Sequence, residues 1–247
     1  MNELRRIGRG IQTTFAGFRS VGIAFTIFVT LNVTVFLLVR LFPGLLDHLQ
    51  LSAGNPWGII TSAFVQVKLP HLANNLGCFA VFTALFVLVC YSLNVEVRRR
   101  WSHVFLWFVF LSGIMANEIE YLLIPVSSSL PSYGASGIVY GSEGILLAAC
   151  AVRLPSWFEV TKKALRKLRS NFKKTVRAAN LGPLGILAWA MPVIVLAVFV
   201  PLLVVNAPSF FSVGLGVDVL AHVLGFFIGL LGFPSALVLL ERGVRRR

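Results

Sequence analysis

Six long apolar runs, separated by polar or basic segments, set the pattern of the chain: roughly residues 20–42, 71–93, 102–124, 134–152, 183–205 and 217–240. A helix needs about 20 predominantly apolar residues to cross a bilayer. Each run is about that long, so the pattern predicts an all-α membrane protein with six transmembrane helices. Residues 1–19 read as a segment before the membrane, 20–241 as one six-helix membrane domain, and 242–247 as a basic tail. The first run is preceded by arginines, as a signal peptide is, but it is too long for one and no small-residue cleavage site follows. It is expected to be retained as a helix.

Composition supports this division. The chain is 57% hydrophobic and only 13% charged, where a soluble domain carries about a quarter. A net charge of +13 raises nucleic acid as a partner, and its distribution argues against one. The bases fall in four blocks: Arg5–Arg19 before the first run, Arg98–Arg100 after the second, Arg153–Arg177 after the fourth and Arg242–Arg247 after the sixth. Only Arg40 and Lys68 lie toward the other side. The positive-inside rule then places both termini in the cytoplasm. Cys78, Cys90 and Cys150 all fall within apolar runs, so they are read as small apolar fillers and not as a disulfide framework.

Two connecting segments are long. Residues 43–70 carry Leu45, Leu46, Trp57, Ile59, Ile60 and Phe64 with few charges, which suits an outer loop lying partly in the interface. Residues 153–182 form the basic cytoplasmic loop. Within it, Thr161–Arg177 spaces Ala164, Leu165, Leu168, Phe172 and Val176 among Lys and Arg. That spacing fits an amphipathic helix on an anionic inner leaflet, and equally a solvated linker.

Four polar residues stand out against the apolar background. Ser136 is the third residue of the fourth run, between Gly134-Ala135 and Gly137; His71 and Asn75 open the second run; His222 lies early in the sixth. With both termini inside, these three runs all enter from the outer face. At ~1.5 Å per residue, the four side chains share the outer third of the membrane. The topology rests on Lys and Arg alone, so this coincidence of depth is independent of it.

Acyl-transfer chemistry needs a nucleophile, a base and donors for a developing oxyanion. Ser136 is a candidate nucleophile beside the unpaired N–H groups of a helix start, and His222 a candidate base. His71 and Asn75, at i and i+4, share a helix face and can donate to an oxyanion. No carboxylate is clearly placed as a third member, so a Ser–His dyad is the simplest arrangement. Gly134, Gly137, Gly141 and Gly144 are expected to line one face of the fourth helix, and Ala221, Gly225, Gly229 and Gly232 one face of the sixth, allowing close approach. Tyr140, one turn below Ser136, is placed to pack against the His222 ring.

The chain here resembles the rhomboid family of intramembrane serine proteases. Four segments carry the likeness: Pro56-Trp57-Gly58-Ile59-Ile60-Thr61-Ser62-Ala63-Phe64, His71-Leu72-Ala73-Asn74-Asn75, Gly134-Ala135-Ser136-Gly137-Ile138-Val139-Tyr140-Gly141, and Ala221-His222-Val223-Leu224-Gly225-Phe226-Phe227-Ile228-Gly229. Glu96, before the arginine run, also resembles a family position. The resemblance implies a six-helix rhomboid-like bundle, Ser136 as nucleophile, His222 as base, His71 and Asn75 as oxyanion contributors, and transmembrane proteins as substrates. Three positions depart from the pattern: Gly58 stands where the family usually has Arg, Gln66 where His is common, and Glu143 where an apolar residue is normal.

Glu143 is expected to face the bundle interior and find a structural hydrogen-bond partner there. Glu118 and Glu120 are expected to pair with Arg40, and Asp218, one turn before His222, to be hydrated at a cavity mouth. Four scattered histidines lack zinc-ligand spacing, so neither a metal nor a cofactor is expected. The leading reading is a serine endopeptidase in the cell membrane of a prokaryote. The alternatives are a catalytically silent relative that binds membrane clients, and a small transporter using Glu118, Glu120, Glu143 and His222 as an ion path.

Overall fold

The computed structural model describes residues 17–123, 132–168, 183–211 and 219–245. Among these residues six helices are long and apolar enough to cross a membrane. They are α1 (Arg19–Leu41), α4 (Leu69–Tyr91), α5 (Val95–Leu123), α6 (Ser136–Leu168), α7 (Pro183–Phe211) and α8 (Val219–Arg245). Two short helices, α2 (Leu45–Leu49) and α3 (Gly58–Thr61), and a 3₁₀ turn over Ser62–Phe64 lie between α1 and α4. The chain is an integral, multi-pass membrane protein built almost wholly of helix.

Four helices extend well beyond their apolar runs: α7 reaches Phe211 and α8 Arg245, and α5 and α6 extend furthest. α5 starts at Val95 and not near residue 102, so Arg98, Arg99 and Arg100 lie within a helix and not in a loop. Asn94 is the reason: its Oδ1 accepts the Val97 N–H at 2.9 Å, satisfying a donor that a helix start leaves open. Glu96 and Arg100 then form an i,i+4 ion pair. α6 likewise continues past Arg153, with Pro155 inside it, to Leu168. The first half of the expected cytoplasmic loop is therefore helical and continuous with the membrane helix. The remainder of Thr161–Arg177 lies outside the described residues.

α6 is the central helix. Its span Ser136–Glu159 is 72% buried, against 22–44% for the other five. Around it packs a phenylalanine-rich core: Phe28 on Phe79 at 4.0 Å between ring centroids, Phe86 on Phe105 at 4.6 Å, and Trp101 against Phe233 at 5.5 Å. Apolar contact with lipid is as favourable as apolar contact between helices, so such a bundle depends on packing and close backbone approach. At the other end of α6, Trp157 stacks on Trp189 of α7 at 5.4 Å.

The segment between α1 and α4 is folded against the bundle. Leu51 and Ser132 exchange both backbone hydrogen bonds, at 2.8 and 3.0 Å. Asn117 of α5 reaches up to donate from Nδ2 to the Ile59 carbonyl and the Ser62 hydroxyl, each at 3.0 Å. Leu51, Ala63 and Val65 are buried, while Trp57 and Ile60 point outward. Gly58 is explained by this path. A Cβ there would lie 2.5 Å from the Leu51 Cα and from the Gln50 carbonyl oxygen, so the crossing of the two backbone segments leaves no room for a side chain at this position.

The expected pairing of Arg40 with Glu118 or Glu120 does not form. Arg40 lies over the Phe36 ring on its own helix, 5.5 Å from the centroid, a cation–π contact that needs no reach to α5.

Candidate active site

The site is assembled by the turn leading into α6. Gly134 has φ +150°, a conformation that side-chain-bearing residues rarely adopt, and its N–H donates to the Ser62 carbonyl at 3.0 Å. The clamped segment between α1 and α4 therefore holds the residue two positions before Ser136. α6 then begins at Ser136, with Ala135 accepting the Ile138 and Val139 N–H groups at 3.1 Å. The N–H groups of Ser136 and Gly137 belong to the first turn, where no carbonyl lies one turn back to receive them.

His71 reaches this turn from α4. Its Cε1 and the Ser136 Oγ lie 3.9 and 3.6 Å from the point where a Gly134 Cβ would stand. Gly134 thus leaves the space that the imidazole and the hydroxyl share. Asn75, one turn further along α4, is 4% exposed. Its Nδ2 has no hydrogen-bond partner among the described residues. A buried amide donor without a partner costs free energy unless something arrives to accept from it.

His222 approaches from α8. Its ring packs on Tyr140 with 4.4 Å between centroids and 31° between planes. Tyr140 is one turn below Ser136, so the imidazole lies about one helical turn from the Ser136 level along α6. A glycine seam makes this possible. A Cβ on Gly225 would collide with the Gly137 carbonyl, lying 3.0 Å from its carbon. One on Gly229 would collide in the same way with Gly141. Higher up, a Cβ on Gly137 would sit 3.6 Å from the Ala221 carbonyl oxygen. Ser136 and His222 are the immediate chain neighbours of Gly137 and Ala221.

The seam differs from expectation at two of its eight positions. Gly134 lies before the helix and faces His71, not α8. Gly232 faces the Phe108 ring of α5 and not α6. The other side of α6 is also tight: a Cβ on Gly141 would overlap Ser112 of α5, and one on Gly113 of α5 would overlap Ile138. Helix α6 is thus held between α5 and α8 by small residues on both flanks.

Glu143 faces the interior, 6% exposed. The structural hydrogen-bond partner expected for it is not found: among the described residues its carboxylate has no hydrogen-bond or ion-pair partner. Gln66, the other internal departure from the family pattern, is 1% exposed with neither side-chain atom partnered among the described residues. Asp218 lies outside the described residues. Sequence reasoning missed Asn117 and Ser62, whose contact joins positions far apart in the chain. It also missed Ser112 and Gly113, although their place in an apolar run beside polar Asn117 is a packing signal.

A sequence model of the Rhomboid domain matches residues 53–234, well over half of the chain. No curated protein and no solved structure matches it.

Proposed function

Because the chain belongs to the rhomboid family, we propose that it is an intramembrane serine endopeptidase that cleaves transmembrane proteins near the outer ends of their helices. The observation that carries this reading is the seating of His222 on Tyr140, one turn below Ser136, at the top of the glycine seam. Ser136 Oγ attacks the scissile carbonyl carbon, and His222 takes the hydroxyl proton. The oxyanion is received by the Ser136 N–H, the Asn75 Nδ2 and His71. His222 then protonates the leaving amine, leaving an acyl-enzyme on Ser136. Water, activated in turn by His222, releases the carboxylate product. Retention of both Ser136 and His222 favours this reading over a silent client-binding relative.

Both termini lie in the cytoplasm in this proposal, which puts the site toward the outer face of a prokaryotic cell membrane. The basic stretch after α6 meets the anionic inner leaflet. Substrate helices enter laterally. A helical peptide bond is shielded by its own hydrogen bonds, so segments loosened by Gly, Pro or polar residues are preferred. The test is cleavage of such a membrane-spanning substrate by purified protein in liposomes. A single cut near the outer end is expected, with none for Ser136→Ala. Equal cleavage by Ser136→Ala, or no cleavage of any substrate in a Gly- and Pro-containing panel, contradicts the proposal.

A further inference from the structure

Glu143 is the one buried acid in α6, and it has no assigned task. It lies seven residues after Ser136, hence on nearly the same helix face and ~10 Å deeper. It is 94% removed from solvent, since only 6% of it is exposed. Tyr140 and Cys78 of α4 are within electrostatic reach of its carboxylate, and neither carries a positive charge. Among the described residues no hydrogen bond or ion pair engages it. Intramembrane acids are retained where they meet a counter-charge, and among the described residues no positively charged side chain engages this one.

The proposed reaction does bring a chain segment there. A substrate held with its scissile carbonyl at Ser136 runs on from the cut into the membrane, along α6. Extended backbone advances ~3.3 Å per residue. The second or third residue on the membrane side of the cut therefore reaches the level of Glu143. Asn75, also buried with an unpartnered donor, lies on the same face of α4 one turn before Cys78, whose thiol is within electrostatic reach of Glu143.

We propose that Glu143 is a specificity-determining residue: its carboxylate receives a Lys or Arg side chain carried two or three residues to the membrane side of the cleaved bond. The inference rests on the protease reading above. It adds the substrate class, a membrane helix with a basic residue just inside the cut. Such a residue is costly in lipid and snorkels toward the interface, which also loosens the helix near the site. Pairing with Glu143 is available only when the segment is seated, so it favours bound over unbound substrate.

The test uses full-length protein and a set of membrane substrates identical except for Lys, Arg, Gln, Met or Leu at those two positions. The readout is the ratio of kcat/KM for Lys over Leu within each protein variant, so differences in total activity cancel. The wild type is expected to prefer Lys or Arg by at least about tenfold, as for a desolvated charge pair. Glu143→Leu should bring the ratio near or below one. Glu143→Gln, which keeps shape and can still accept a hydrogen bond, should give an intermediate value and serves where Glu143→Leu does not fold. Cleavage by the wild type without preference, or a preference that survives in both variants, overturns this inference alone. No cleavage of any substrate, together with no fluorophosphonate labelling of Ser136, overturns the protease reading and this inference with it.

Discussion

Replacing Gly225 with Ala adds one methyl group where α8 crosses α6. That Cβ would stand 3.0 Å from both the carbon and the Cα of Gly137, with the carbonyl oxygen closer still. Carbon atoms in ordinary contact sit ~3.5–4.0 Å apart. These neighbouring atoms are backbone, not the tip of a flexible side chain, so the helices must separate by about 1 Å to restore ordinary contact. Overpacking of this kind costs ~1–3 kcal/mol of stability. The catalytic effect is larger, because His222 moves with α8 while Ser136 stays with α6. A displacement of about 1 Å from attack geometry can cost ~10²-fold in rate. Gly225→Ala should therefore lower kcat/KM on a membrane substrate by about 10²-fold, with a modest fall in Tm. Gly22→Ala in α1 is the control: nothing lies within 4 Å of that Cβ, and alanine is the better helix former, so activity and Tm should hold. Wild-type kcat/KM in Gly225→Ala would refute the seam as the device that sets the Ser136–His222 spacing.

Three further outcomes follow from the same geometry. Ser136→Ala and His222→Ala should each remove cleavage, and the double variant should be no worse than either, since groups acting as a unit are not additive; an additive loss breaks the dyad. Asn75→Ala should slow kcat by ~10²–10³ with little change in Tm, because its Nδ2 has no bond among the described residues to lose; a fall in Tm with cleavage preserved would make Asn75 structural. Asn117→Ala removes the hydrogen bonds to the Ile59 carbonyl and the Ser62 hydroxyl, at a cost of ~1–3 kcal/mol, and should lower Tm by several degrees; an unchanged Tm contradicts its role as the clamp of the segment between α1 and α4.

The helices were legible because membrane spans are written in length and apolarity, which one run of sequence contains. Their ends were not. Asn94 starts α5 through a side-chain cap that is short-range but stands outside the apolar run, and α6 continues past Pro155 to a point where Trp157 still stacks on Trp189 of α7. The candidate site could be read from the sequence because Ser136, His71, Asn75 and His222 are polar interruptions of apolar runs. What stayed hidden depends on contacts across the chain. Asn117 serves residues more than fifty positions away; Gly58 is small because another backbone segment crosses it; Gly134 and Gly232 face His71 and Phe108 where periodicity alone aims them at each other's helices. Glu143 was visible as an anomaly, and only the packed bundle reveals that no partner among the described residues answers it.

The central claim is that His222 activates Ser136 at the mouth of α6. Reaction of the full-length protein with a fluorophosphonate, followed by mass mapping of the adduct, tests it most directly. The account predicts one modified residue, Ser136, with labelling abolished in Ser136→Ala and reduced by orders of magnitude in His222→Ala, which leaves the hydroxyl in place but removes its base. An adduct on another residue, or equally fast labelling of Ser136 in His222→Ala, would contradict it.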